Sequence, residues 1–279
     1  MTKNWLITGT STGLGRLMVE RLLARGDRVA ATLRRAGPLD DLQAQYGDAL
    51  QVLALDITEV AQIRIAVEQA FERLDRIDVA VSNAGYGLFG AGEEASDAQI
   101  DRQIATNLTG SIQFIRALLP RLRAQGGGRI VQVSSEGGQV AYPNFSLYHA
   151  TKWGIEGFIQ SVSQEVAPFN IDFLIAEPGP TATNFAAGMD EAKTMDVYDQ
   201  TPAGHVRRAV RSGAFAVRGD AGKTVDAIIA AADSKTPPLR LALGSNAYTT
   251  ISKALNERLS NLERYKAITL AVDVGELKD

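Results

Sequence analysis

The sequence predicts a doubly wound α/β fold in a single domain: a seven-stranded, mostly parallel sheet with helices on both faces. Short apolar runs alternate with amphipathic stretches along most of the chain, the pattern of successive β-α units. The runs are continuous, as in Ile130-Val131-Gln132-Val133 and Phe173-Leu174-Ile175-Ala176, and suit strands buried on both faces. The first run ends in a glycine-rich turn from which a helix starts.

Strands are expected over 5–8, 28–33, 50–55, 78–82, 129–134, 171–177 and 240–243. Between them, 14–24 carries Leu14, Leu17, Met18 and Leu22 at helical spacing and stops at Gly26. The same period predicts helices over 60–74, 98–125 and 146–166, the last ended by Pro168. Two regions break the rhythm. Residues 184–222 contain Gly188, Pro202, Gly204, Gly213 and Gly219 without a sustained period, and an insertion of that size is expected to be a substrate lid. From Ser245, read as an N-cap, a C-terminal helical extension carries Ile251, Leu255, Leu259 and Leu262 and runs into a polar tail, 245–279 in all.

Composition narrows the function. The 279 residues hold 29 basic and 32 acidic side chains, a net charge of −3, which argues against a nucleic-acid partner. Zero cysteines exclude disulfides and thiolate chemistry, and two histidines, His149 and His205, leave little for a metal site, so none is expected. No apolar stretch reaches the ~18 residues that span a bilayer, and no charged-then-apolar leader precedes the first strand. A cytoplasmic protein without a membrane partner is the expectation.

The glycine turn reads Thr8-Gly9-Thr10-Ser11-Thr12-Gly13-Leu14-Gly15. Its glycines let the backbone turn sharply and approach a pyrophosphate, whose charge would sit on the amides and positive end of the following helix. The acidic residue that grips an adenosine ribose should lie about 20 residues further on. In its place stand Leu33 and then Arg34 and Arg35, which suit the 2′-phosphate of NADP better, although a solvated pair at a strand end reads the same way. Asp56, with Ile57 beside it, would meet the adenine; capping the turn at Thr58 explains Asp56 equally well.

Tyr148 and Lys152 are four apart on a predicted helix, so phenol and ammonium share a face. A cation beside a phenol of pKa near 10 favours the phenolate and brings it towards working range. Such a pair arises by chance in about one of every two chains of this length, so context carries the weight. Ser135 ends the preceding strand, where the active groups of open α/β sheets gather; its plain alternative is a turn hydroxyl capping nearby backbone.

Taken together, Thr8-Gly9…Gly13-Leu14-Gly15, Asn83-Ala84-Gly85, Asn107, Ser135, Tyr148…Lys152 and Pro178-Gly179-Pro180-Thr181-Ala182-Thr183 resemble the ordered motifs of the short-chain dehydrogenase/reductase family, in its single-domain, Rossmann-type branch. The resemblance covers roughly residues 3 to 185. It implies that Tyr148 is the general acid in reduction and the base in oxidation. Lys152 would lower the Tyr148 pKa and bind the nicotinamide ribose, and Ser135 would hydrogen-bond the substrate oxygen. Asn107 would hold a water linking Lys152 to solvent; an Asn bending its helix is the alternative. Asn83, Ala84 and Gly85 would line the cofactor wall, and Pro178, Gly179, Thr181 and Thr183 would approach the nicotinamide carboxamide. Three departures stand out: Thr12 where many NADP-preferring relatives carry a basic residue, Leu14 for the commoner Ile, and a longer segment after Thr183.

The implied activity is hydride transfer between NADP(H), with NAD(H) as the second choice, and a small-molecule carbonyl or secondary alcohol. Tyr86, Phe89, Tyr142, Phe145, Trp153 and Phe185 suggest an apolar pocket for a lipophilic ketone or aldehyde, although core packing explains any one of them. His149 and His205 are read as structural or surface residues. The rival readings are an NAD-linked alcohol dehydrogenase of the same family and a non-catalytic NADP(H)-sensing regulator. A homodimer or homotetramer is the family-level expectation, formed by the helices over 98–125 and 146–166 unless the C-terminal helix covers that surface.

Overall fold

A computed structural model describes residues 2–214 and 216–275. Its main sheet has seven strands, all parallel: β1 (Asn4–Ile7), β2 (Arg28–Leu33), β3 (Leu50–Ala54), β4 (Val79–Ser82), β6 (Gly128–Val133), β7 (Ile171–Pro178) and β9 (Arg240–Leu243). Their order is β3-β2-β1-β4-β6-β7-β9. Two short strands, β5 (Leu88–Phe89) and β8 (Asp190–Glu191), pair in parallel outside it. The chain winds outward from β1 in both directions, so the order reverses between β1 and β4 and the connections leave to opposite faces.

Successive strand residues point to opposite faces, so both faces need a cover. Trp5, Ile7, Val29, Ala31, Val79 and Val81 pack under α1 (Gly13–Ala24), α2 (Asp40–Tyr46) and α8 (Ala221–Asp233). Leu6, Ala30, Ala80, Ile130, Phe173 and Ile175 pack under α3 (Val60–Leu74), α5 (Gly110–Ala124) and α6 (Ser146–Val166). All seven predicted strands and the helices at 60–74 and 146–166 form as expected.

Elsewhere the structure differs from the expectation. The predicted helix over 98–125 is α4 (Asp97–Ile104), a π-helical turn (Ala105–Thr109) and α5. The extra residue of that turn carries Asn107 inward, where its amide binds the backbone of Tyr86. Helix α9 (Ser245–Arg264) does not use Ser245 as its N-cap: Gly244, at φ +101°, takes that position and Ser245 is the first helical residue. Of the expected apolar stripe only Ile251 is buried, while Leu255, Leu259 and Leu262 are exposed before the short α10 (Lys266–Leu270). Helix α9 does cover part of α6, since the Arg258 guanidinium stacks 5.1 Å over the Trp153 ring. Residues 276–279 of the predicted tail lie outside the described residues.

The 184–222 segment has structure of its own. It contributes β8 and α7 (Pro202–Arg211), which Thr201 caps by accepting from the Ala203 amide at 3.2 Å. Its anchor is a buried ion pair: Arg207 Nη2 lies 2.5 and 2.6 Å from the two oxygens of Glu94. Burial alone would raise the Glu94 carboxyl, but the amides of Met195 and Ala91 together with Arg207 hold it below its usual value. Among the described residues no helix is long and apolar enough to cross a membrane, and no group of three His, Asp or Glu side chains could hold a metal ion.

Removing one partner of a buried pair leaves an uncompensated charge. Arg207→Met is therefore expected to lower the unfolding free energy by about 3 kcal/mol, and Glu94→Met/Arg207→Met to recover part of that loss, measured by urea denaturation.

Candidate active site

The site grows out of the reversal between β1 and β4. Gly9 follows β1 at φ +69°, and a Cβ there would sit 2.7 Å from Ala84 Cα. A Cβ on Gly15 would run into the Gly9 carbonyl and the Asn83 amide, so only glycine lets α1 start this close to the strand. Thr12 stands at the N-cap of α1 without a side-chain bond to the first turn, which leaves the helix amides available to an anion. Thr10 is buried and donates to Thr32 O at 3.1 Å, whereas Ser11 and Thr12 are exposed and Leu14 is half-buried. A hollow of about 280 Å³ opens here, lined by Thr12, Gly13, Arg16, Thr183 and Asn184.

Thr8 and Asn83 tie the two strand ends together. The Asn83 side-chain amide donates to Thr8 O and Gly9 O, both at 2.9 Å, and the amides of Asn83 and Ala84 donate to Thr8 Oγ1 at 3.0 and 3.1 Å. Gly85 leaves room for Asn107, whose Nδ2 donates to Tyr86 O at 2.7 Å while its Oδ1 accepts from Tyr86 N at 3.1 Å. The Asn107 side chain therefore serves both the bent helix and the wall at Gly85. Pro178 ends β7, and the Gly179 amide donates to Leu243 O at 3.0 Å. Thr181 donates to Gly179 O at 2.8 Å, and Thr183 accepts from the Phe185 amide and faces Gly13.

At the second and third strands the arrangement is more open. Arg34 and Arg35 are exposed, and neither forms an ion pair among the described residues. Asp56 caps its turn, accepting from the Thr58 amide at 2.9 Å and hydroxyl at 2.7 Å; the Thr58 amide foremost, then that hydroxyl and Arg34, hold its carboxyl below the usual value. Ile57 is buried, its carbonyl facing Gly110 too closely for a Cβ.

The candidate reacting centre lies at the end of β6. Ser135 accepts from the Gly137 amide at 3.1 Å, so the turn-capping role is real, and its hydroxyl also reaches the Tyr148 phenol. Tyr148 and Lys152 stack along α6, with Lys152 Nζ 5.6 Å from the Tyr148 ring centroid. Helical spacing and the Ser135 turn thus bring all three together.

The electrostatics depart from the sequence expectation. Burial pushes the Tyr148 phenol up to about 12, with Glu136 adding to the rise and the neighbouring Ser135 hydroxyl opposing it. The Lys152 ammonium is held instead by Val133 O at 2.9 Å, and burial pulls it down to about 8 against the raising effect of Glu156. Burial is the leading cause in both groups and disfavours the phenolate and the ammonium alike. His149 is buried beside the same turn, pulled down to about 4 by burial, and accepts from the Tyr142 amide at 3.3 Å. It is a neutral packing residue, and His205 is exposed on α7.

The aromatic residues divide. Phe185 lies 5.7 Å from Tyr148 between ring centroids, Phe145 6.4 Å, and Phe89 packs edge-on against Phe145 at 5.1 Å. Tyr86 is half-buried beside Asn107. Trp153 instead faces α9, and Tyr142 donates to Glu136 at 3.1 Å. The sequence reading overlooked the buried carboxylates Glu136, Glu156 and Glu177, and Arg240, which surround the centre from behind. Glu156, four residues after Lys152, extends the Tyr-x-x-x-Lys spacing and was the available signal.

Fold, glycine turn and Ser-Tyr-Lys centre define a dinucleotide-binding oxidoreductase architecture. A family model described as short chain dehydrogenase matches residues 3–194, and the chain belongs to that family. It is an oxidoreductase acting on alcohol and ketone groups. Oxidoreductase BOA17 of Botryotinia fuckeliana is 35% identical over 272 residues, 97% of this chain and 99% of that protein. The crystal structure of a short-chain dehydrogenase from Streptomyces avermitilis is 36% identical, with a TM-score of 0.90 over 98% of this chain and 100% of that one. A 3-ketoacyl-(acyl-carrier-protein) reductase from Brucella melitensis, complexed with NADH, shares the fold at 23% identity and a TM-score of 0.72, over 86% of this chain and 96% of that one.

Because a methyl group at residue 15 has nowhere to go, Gly15→Ala is expected to destabilise the domain by about 1–3 kcal/mol, read from the shift of the urea midpoint.

Proposed function

We propose that the chain is an NADP(H)-dependent reductase of lipophilic ketones or aldehydes. The observation that carries this is the convergence of Ser135, Tyr148 and Lys152 at the end of β6, beside the glycine turn at the strand-order reversal. The turn fits a dinucleotide: Gly9 and Gly15 leave a cradle that a Cβ would fill, and the α1 amides at Thr12 lack a side-chain cap. When bound, the nicotinamide supplies a hydride to the carbonyl carbon.

In this reading the chain's residues do the rest. The Tyr148 phenol, protonated at neutral pH, donates its proton to the carbonyl oxygen, while the Ser135 hydroxyl donates a hydrogen bond to the same oxygen. Lys152 binds the nicotinamide ribose and returns a proton towards Tyr148, with Asn107 holding the wall on that side and lending the water link to solvent. Gly13, Ser11 and Thr12 receive the pyrophosphate, and Thr181 and Thr183 meet the carboxamide. Arg34 and Arg35, exposed and free of ion pairs among the described residues, hold the 2′-phosphate, with Asp56 and Ile57 beside the adenine.

Phe145, Phe185 and Phe89 line the approach to Tyr148 and support an apolar substrate, and the 184–222 segment is its lid, closed by Phe185. Association into a homodimer or homotetramer belongs to the same proposal, through the face of α6 that exposes Ala150, Gly154 and Gly157.

Two experiments test the proposal. With NADPH and a panel of aromatic and long-chain ketones and aldehydes, Tyr148→Phe is expected to bind NADPH as the parent does and to lose about 10²- to 10⁴-fold in turnover. A variant that turns over like the parent would overturn the mechanism. For the cofactor, Arg34→Ala should weaken NADPH binding about tenfold while leaving NADH within about twofold, followed by nicotinamide fluorescence. Equal losses for the two would argue for the NAD-linked reading.

A further inference from the structure

Three successive residues at the end of β6 face three residues of α6 spaced one turn apart. Ser135 reaches the Tyr148 phenol, Val133 O accepts from Lys152 Nζ at 2.9 Å, and Ser134 Oγ donates to Glu156 Oε1 at 2.5 Å. Positions 148, 152 and 156 form one stripe of the helix, so Glu156 continues the line of Tyr148 and Lys152 inward. It is 1% exposed, and the turn at Gly138 packs against it too closely for any side chain there.

We propose that Glu156 is a positioning residue for the reaction: locked by Ser134 and Arg240 one turn beyond Lys152, it fixes the end of β6 against α6 and sets a carboxylate behind the ammonium that Val133 O holds beside Tyr148. This rests on the reading of Tyr148 and Lys152 given above.

The surroundings bear on the charge of Glu156 from every side. From β9, Arg240 Nη1 bonds Glu156 and lies 2.9 Å from Glu177, while Nη2 donates to Gln160 at 3.1 Å. From β7, Glu177 is buried and accepts from Gln139 at 2.7 and 2.8 Å. Glu136, on the adjoining turn, spends its carboxylate on Tyr142, Asn246 and Thr250. Within this group Arg240 and Lys152 are the two cations, and one guanidinium is shared between two carboxylates. Burial foremost, and Glu177 after it, raise the Glu156 carboxyl to about 7, opposed by Ser134 and Arg240. Glu156 in turn supports the charge on Lys152, which burial pulls down to about 8. A residue that only fastened β9 to α6 would leave the titration of Lys152 where it is when replaced by an amide. A residue that sets the state of Lys152 would move it.

The test follows Lys152 directly. Protein labelled with ¹³C-lysine is titrated by NMR, and the Lys152 ε-carbon resonance is assigned by its loss in Lys152→Met. In the parent the expected curve has two steps, one near pH 7 as Glu156 ionises and one at the ammonium itself. In Glu156→Gln, whose carbonyl oxygen still accepts from Arg240 while its amide donates to the Ser134 hydroxyl, the first step is expected to vanish and the midpoint to fall by about one pH unit. Glu156→Asp should restore part of the shift. The alkaline limb of NADPH-dependent reduction of the carbonyl panel should move down with the NMR midpoint. A single-step parent curve, or a Glu156→Gln midpoint equal to the parent's, would overturn the inference; the parent curve decides even if the variant fails to fold. Turnover retained in Tyr148→Phe would instead overturn the catalytic reading beneath it.

Discussion

A parallel sheet has to be covered on both faces, and in this chain that requirement makes the site. Strands laid down in both directions from β1 send their helices to opposite faces, and the connections part where the order reverses. The gap between them would be a weak point without a clamp. Asn83 and Thr8 supply it with four hydrogen bonds across the ends of β4 and β1, and the glycines at 9 and 15 let α1 close against that clamp. Every group in the crevice is referred to these two strand ends.

Burial then decides the chemistry. The sequence places a cation one turn from a phenol, and the simplest electrostatic argument makes the phenol more acidic. Once folded, both groups have lost water, and loss of solvent disfavours the phenolate and the ammonium together. The phenol stays protonated, and the lysine keeps its charge with help from a carboxylate deeper in the same helix. The protonation of Tyr148 thus follows from how dry the end of β6 is, more than from the spacing of Tyr148 and Lys152.

The 184–222 segment shows how an irregular stretch is held over such a centre. The pairing of β8 with β5 and the Arg207–Glu94 pair fix it from two sides, and Phe185 comes to rest against Tyr148. Its contacts are with residues distant in sequence, which is why no local period announced them.

What could be read from the sequence was whatever depends on neighbours along the chain. Apolar periods located the seven strands and the helices at 60–74 and 146–166, because burial on two faces or one leaves a repeating mark. The glycine turn, Ser135, Tyr148 and Lys152 were legible for a related reason: strand ends and helical turns bring together residues at predictable separations. Contacts between distant segments decided the rest. Asn107 interrupts its helix because Tyr86 offers it a backbone partner, and Trp153 turns to α9 because Arg258 is there. Glu156 and Glu177 meet Arg240 only after β9 joins the sheet beside β7. The protonation state of Tyr148 belongs to the same class, since desolvation is a property of the packed volume around a group, and the linear sequence does not contain that volume.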